Sequence, residues 1–203
     1  HFEWNFCSKA QEILYREVAN LKAINLSKTL TAITIQENFV CLYKRLQMKN
    51  YLQTPIYKKS EEIFETLKAI TGLFPEEDPI LTDLKGQLLG DAMLIQAKLA
   101  GAFAVKLYDI KMENATLIRK AARDLMVSYH TLKMLGFEEV EYYKIIRTQI
   151  EEFRLLFVEW VAAFNKKHFI TDSWGLFNPP GIAHDYKQQD EELDFLDEED
   201  TNC

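Results

Sequence analysis

Apolar residues recur every three or four positions across most of residues 56–164, and this spacing constrains the fold more than any other feature. The clearest stripe has steps of 3, 4, 3, 4, 3 and 4 residues and consists of Tyr143, Ile146, Ile150, Phe153, Phe157, Trp160 and Phe164. Such a stripe lies along one side of a helix, so the pattern predicts one helix from about Glu138 to Lys167.

Three further stripes with helical spacing precede this one. They are Ser60, Ile63, Leu67, Ile70 and Phe74; then Leu81, Leu84, Leu88, Ala92, Ile95, Leu99 and Ala102; then Ala115, Ile118, Ala122, Leu125, Tyr129 and Leu132. The links between them, at about 73–79, 108–110 and 136–138, are short, which favours antiparallel neighbours. Only 7 Gly and 5 Pro occur among 203 residues, as suits long helices. We therefore expect an all-α fold: an antiparallel up-down four-helix bundle at residues 55–168.

Two flanking segments differ from the bundle in composition. Residues 1–54 predict an N-terminal helical extension, with helices near 8–24 and 37–50. Residues 169–203 begin with an aromatic, Pro-rich turn segment and end in an acidic tail; residues 171–203 hold ten Asp or Glu and one Lys. The tail is either a solvated, solubilising segment or an acidic strip, anchored by Leu193, Phe195 and Leu196, that covers a basic patch.

Small residues recur at intervals of four along the second predicted helix. Gly86 and Gly90 are four apart, as are Ala97 and Gly101. Each Gly costs a helix interior about 1 kcal/mol relative to Ala, so a compensating contact is expected. The spacing predicts close helix packing at these four positions, either inside the bundle or between subunits.

No motif of an enzyme or metal site is present in the sequence. Nucleotide-binding loops, hydrolase elbows and Glu-x-x-His pairs are absent, so we expect no catalytic, cofactor-binding or metal-ligating residues. The three cysteines, Cys7, Cys41 and Cys203, are far apart in the sequence and match no disulfide or zinc-binding spacing. We therefore expect free thiols and a reducing, cytoplasmic setting. The apolar runs are too short for a membrane-spanning helix, so no membrane association is expected.

Clustered cations offer one route to a binding function. Lys111, Arg119, Lys120 and Arg123 lie close together on the third predicted helix. A cluster on one helix face is the footprint of phosphate contact, although solvated helices carry similar charges. These four residues are the candidate nucleic-acid contacts.

Residues 56–164 also carry points of similarity to a known family. They are Tyr57, Ser60, Phe74, Pro75, Glu76, Glu77, Leu84, Gln87, Leu88, Ile95, Ala97, Leu99, Ala100, Gly101, Leu135, Gly136, Phe137 and Tyr142. In these positions the chain resembles the four-helix-bundle proteins encoded in intervening sequences of large-subunit ribosomal RNA genes, and the accessory proteins of diversity-generating retroelements. It departs from the family pattern at Gln96, where proline is usual, and at Ala100, where an acidic residue is usual. The resemblance implies the same bundle, a five-membered ring and, as in some members, nucleic-acid binding through a positive surface.

Taken together, these patterns predict a non-catalytic, homo-oligomeric interaction or scaffold protein, with a protein partner as a further expectation. The alternatives are a nucleic-acid-associated bundle protein and a metal or small-molecule enzyme. The sequence does not discriminate among biological processes.

Overall fold

The computed structural model describes residues 50–196, and four α-helices form most of this region. They are α1 (Pro55–Thr71), α2 (Pro79–Ala104), α3 (Tyr108–Met134) and α4 (Tyr143–Ala162), with short 3-10 turns at Asn50–Gln53, Val140–Tyr142 and Asp190–Glu192. The helices predicted near 8–24 and 37–50, the three cysteines and the last residues of the acidic tail lie outside the described residues, apart from Asn50.

The first two helices start where the sequence places a capping residue before a proline. Thr54 and Asp78 have extended backbones, and their side chains accept hydrogen bonds from backbone N–H groups two or three residues later. Pro55 and Pro79 follow directly, at the helix position where a missing N–H costs nothing. Local chemistry therefore fixes both helix starts.

The four helices pack as an up-down bundle, which confirms the predicted fold class. α1 packs against α2, α2 against α3, α3 against α4, and α4 closes the square against α1. All seven residues of the predicted α2 stripe are buried, and so are the six of the α3 stripe. α2 and α3 share the largest contact, whereas α3 and α4 share the smallest of the four. This smaller contact leaves a groove between α3 and α4.

The predicted link at residues 108–110 is wrong. These residues form the first turn of α3, and the link is 105–107. The Tyr108 N–H donates to the carbonyl oxygen of His168 over 2.6 Å, and its ring is buried. The segment that follows the bundle is thus hydrogen-bonded to the start of α3. No local pattern in the sequence reveals this long-range contact.

The predicted bounds of α4 are also too wide. Gly136 has a φ of 75° and ends the α3 region, after which a 3-10 turn at Val140–Tyr142 delays the start of α4 to Tyr143. The helix ends at Ala162, yet Phe164 is still buried. The apolar spacing therefore predicted the burial of Phe164 correctly and the end of the helix wrongly.

A second buried cluster closes one end of the bundle. It consists of Tyr108, Ala115, Phe164 and Phe169, with Ile182 packed against it. The segment after α4 folds back on the bundle here. The cluster anchors that segment beside the start of α3 and the end of α4.

Candidate functional surfaces

The four predicted nucleic-acid contacts do not act as one group. Arg119 and Arg123 are exposed one turn apart on α3 and face the groove between α3 and α4. Lys120 forms an ion pair of 2.7 Å with Asp124 and is not among the residues that line the groove. Lys111 lies about two turns before Arg119, and its Nζ is 5.5 Å from the centre of the Phe164 ring. Only two of the four cations therefore share a surface.

The other two cations contact groups of their own chain outside the groove. Desolvation lowers the pKa of Lys111, which is half-buried. On the other side of α3, Asp91 of α2 is half-buried; desolvation and the nearby Asp124 carboxylate raise its pKa, whereas Lys120 lowers it. Lys120 is thus engaged with two carboxylates of its own chain.

The groove between α3 and α4 has an apolar floor and a cationic rim. Its volume is about 250 Å³. It is lined by Arg119, Ala122, Arg123, Met126, Ile150, Glu151, Phe153, Arg154 and Phe157. The sequence analysis missed Arg154, because the register that places α4 beside α3 comes only from tertiary packing. The combination suits a ligand that brings both apolar groups and carboxylates.

Charges on the groove rim are only partly neutralised. Arg154 pairs with Glu151 on the same helix, with 2.7 Å between Nε and a carboxylate oxygen. Arg119 and Arg123 have no acidic partner among residues 50–196. Two guanidinium groups beside apolar surface are thus free to meet an anionic group.

The outward side of α2 is unusually poor in charge. Every fully exposed residue from Gly86 to Ala104 is uncharged. An outer stripe follows helical spacing along this side: the exposed Gly86, Gly90, Met93, Ala97 and Ala104, with the half-buried Gly101 at its edge towards α3. Soluble surfaces usually carry charge on a quarter to a third of their positions. α2 is therefore apolar on the side that faces the core, and its exposed residues in this stretch are uncharged, whereas the charged Asp91 and Lys98 are half-buried.

Two glycines of the outer stripe, Gly86 and Gly90, make no close contact inside the bundle. A Cβ atom placed on Gly86 or Gly90 would have no neighbour within 4 Å, and both residues are exposed. At Gly101 the nearest atom would be Oδ1 of Asn114, at 3.4 Å. Of the two predicted roles, packing within the bundle is not what Gly86 and Gly90 do in the described part of the chain. Contact between subunits stays a prediction.

A tightly braced loop follows the bundle and exposes two large apolar side chains. Asp172 accepts hydrogen bonds from the backbone N–H groups of Trp174 (2.9 Å), Leu176 (2.9 Å) and Phe177 (3.0 Å). The side chain of Asn178 bonds back to both backbone groups of Asp172. Trp174 is nevertheless 86% exposed and Leu176 73% exposed. The sequence shows turn signals here, but not which aromatic residues would face solvent.

The ionised form of Asp172 and the backbone of Gly175 both stabilise the loop. Desolvation of Asp172 acts to raise its pKa, but the three N–H donors outweigh this effect, so its pKa is lowered. Gly175 has a φ of 70°, and a Cβ there would lie 3.1 Å from Cβ of His184. A glycine is thus required at this position on both backbone and steric grounds.

The described part of the acidic tail contacts the segment that follows α4. Leu193, Phe195 and Leu196 are half-buried, and the Phe195 ring stacks on His168 with 4.8 Å between centroids. Tyr186 donates a hydrogen bond to Glu192. The predicted apolar anchors of the tail are therefore in contact with this chain; whether the tail covers a basic patch stays a prediction.

The described residues hold no group of three or more His, Cys, Asp or Glu side chains placed to bind a metal ion. None of the helices in this region is both long enough and apolar enough to cross a bilayer. Comparisons of the chain with protein-family models, curated proteins and solved structures found no match. The function must therefore be argued from the surfaces themselves.

Proposed function

We propose that this protein is a non-catalytic, self-associating helical-bundle protein that serves as an interaction or scaffold module. The observation that carries the proposal is the outer stripe of α2, where exposed residues from Gly86 to Ala104 are all uncharged. Exposed surfaces that lack charge and carry apolar side chains, such as Met93 and Ala97 here, are typical of protein–protein interfaces. Small residues in such a stripe let a second backbone approach closely.

The energetics of α2 point the same way. Gly86 and Gly90 together cost the helix about 2 kcal/mol relative to alanine, and no neighbour in the described bundle uses the space that they leave. Contact with a second copy would offset this cost by burying Met93 and Ala97. The resemblance to bundle proteins that form five-membered rings agrees with self-association, and the number of subunits is part of the same proposal.

Nucleic-acid association is the alternative function. It draws on Arg119 and Arg123, since Lys111 and Lys120 are engaged elsewhere. Binding through so few phosphate contacts would be weak at physiological salt. We therefore favour self-association, and a mobility-shift titration at low and moderate salt tests the alternative.

The direct test changes the outer stripe and measures mass in solution. Met93→Glu introduces a carboxylate at a position where the native side chain is 57% exposed. The substitution should therefore leave the fold of the bundle unchanged. Burying that charge between two copies is unfavourable, so the average mass at a given concentration should fall. Ile145→Glu, on α4, is the matched control because its side chain is similarly exposed, at 49%.

The outcomes separate cleanly. Self-association through α2 requires a lower mass for Met93→Glu and an unchanged mass for Ile145→Glu. Equal masses for both variants and the parent chain would reject the α2 stripe as a contact. A parent chain that stays monomeric at every concentration would reject self-association itself.

A further inference from the structure

We propose a second contact between copies, in which the loop carrying Trp174 and Leu176 inserts into the α3–α4 groove of another copy. This inference rests on the proposed self-association and adds a different surface to it. It assigns the groove, the loop and the rim arginines a shared role that the α2 stripe does not need.

The loop is built to present its apolar side chains. Three backbone N–H groups are fixed on the Asp172 carboxylate, and Asn178 ties the ends of the loop together. Below them, Gln188 bonds the backbone N–H of Thr171 and the carbonyl of Phe169. A group held in one conformation loses little entropy on binding. Exposed Trp on a rigid support is a common anchor of protein interfaces.

The groove matches such an anchor in size and lining. At about 250 Å³ it is smaller than the clefts that usually enclose a whole cofactor or metabolite. Its floor includes Met126, Phe153 and Phe157. These side chains offer aromatic and thioether surface to an indole. Arg119 and Arg123 at the rim can stack on the same ring.

Charge complementarity selects a second copy as the occupant. The rim carries three arginines and one glutamate. The segment that bears the loop, residues 171–196, holds six carboxylates and one lysine. Asp172 is held inside the loop by backbone N–H groups, and the other five carboxylates follow the loop at residues 185–194. The segment as a whole therefore brings negative charge to a cationic rim with an apolar floor.

The loop is not placed to fill the groove of its own bundle. Phe169 anchors the segment in the buried cluster with Tyr108, at the start of α3. Phe157 lines the groove and also packs against this cluster, yet Trp174 and Leu176 are 86% and 73% exposed and neither lines the groove. Because donor and acceptor surfaces differ, the contact is head-to-tail. Head-to-tail contacts close into rings or extend as filaments.

A mixing experiment tests the contact in the Met93→Glu chain, where the α2 stripe is disabled. One variant loses the loop anchors (Trp174→Ala with Leu176→Ala), and the other loses the rim (Arg119→Glu with Arg123→Glu). All four side chains are exposed, so folding should be retained.

The Met93→Glu chain should still self-associate, and each variant alone should be monomeric by sedimentation velocity, with the contact weakened about tenfold or more. Mixed together, the two variants should form 1:1 dimers, because one supplies an intact groove and the other an intact loop. Lys133→Glu with Lys166→Glu, two exposed charge reversals outside the groove, should leave association unchanged.

Several results would overturn this contact without touching the α2 stripe. They are a monomeric Met93→Glu chain, a mixture that sediments as the sum of its parts, and equal loss in the lysine control. Loss of RNA binding in the rim variant with no change in mass would assign the groove to nucleic acid instead. An unchanged mass on Met93→Glu, by contrast, counts only against the proposed α2 contact.

Discussion

Tyr143 shows how much one residue can contribute to a bundle whose α3–α4 contact is small. Its side chain is fully buried, and its hydroxyl donates to the carbonyl oxygen of Leu125 over 3.0 Å. This bond links α4 to α3 close to the end opposite the second buried cluster. The sequence predicts burial of Tyr143 from its place in the stripe, but it does not reveal the acceptor, which depends on the helix register.

Tyr143→Phe removes that hydrogen bond and keeps the ring. We expect the free energy of unfolding at about pH 7 to fall by about 1 kcal/mol. Burial raises the pKa of Tyr143, the hydrogen bond with Ser128 lowers it, and Asp91 raises it again. A raised pKa means that the stabilising effect is complete below about pH 10, the pKa of an unfolded tyrosine, and is lost as the pH rises beyond it.

Urea unfolding on both sides of pH 10 measures this effect. The parent chain should lose more stability than Tyr143→Phe as the pH is raised, because the variant has no hydroxyl to ionise at this site. Identical alkaline losses in the two chains would show that Tyr143 is not the group responsible.

At the scale of elements, the glycines of α2 separate helix stability from association. Gly86→Ala with Gly90→Ala should raise the free energy of unfolding by up to about 1 kcal/mol per site, since neither new methyl meets a neighbour. The same methyl groups should weaken association, because they hold a second backbone away from the stripe.

Thermal unfolding and sedimentation of the same samples provide the two readouts. Gly101→Ala is the comparison, because its methyl would contact Asn114 at 3.4 Å and should therefore gain less stability. A more stable chain whose mass is unchanged would remove Gly86 and Gly90 from the interface.

The loop after α4 should respond to acid. The pKa of Asp172 is lowered in the folded chain, so its stabilising effect is present above the ordinary Asp pKa of about 4 and is lost as the pH falls below it. Amide hydrogen exchange at Trp174, Leu176 and Phe177 should accelerate below that pH relative to exchange in α1. Asp172→Asn should show faster exchange already at neutral pH, and equal protection in both chains would contradict the role given to Asp172.

Comparison of the elements shows where sequence reasoning succeeds. The α2 stripe matches the buried set of that helix in full, because helical periodicity reports directly on which side meets a core. The ends of α4 were missed because they depend on a 3-10 turn and on the second buried cluster. Arg154 and the exposed Trp174 were missed for the same reason: both depend on how distant segments pack, which leaves no local signal.

For the molecule as a whole, two surfaces remain unexplained by the fold alone. The core accounts for the buried stripes, but not for the uncharged outer stripe of α2 or for the groove between α3 and α4. Both surfaces lie on the outside of the bundle: the first is an uncharged stripe on α2, and the second is an apolar groove with a cationic rim. We propose that contacts between copies cover both surfaces, which makes self-association the central proposal.

Sedimentation equilibrium of the full 203-residue chain over a wide range of concentrations tests that claim most directly. We expect an average mass that rises with concentration to a multiple of the 23.7 kDa chain mass. A single species of 23.7 kDa throughout the range would contradict the account.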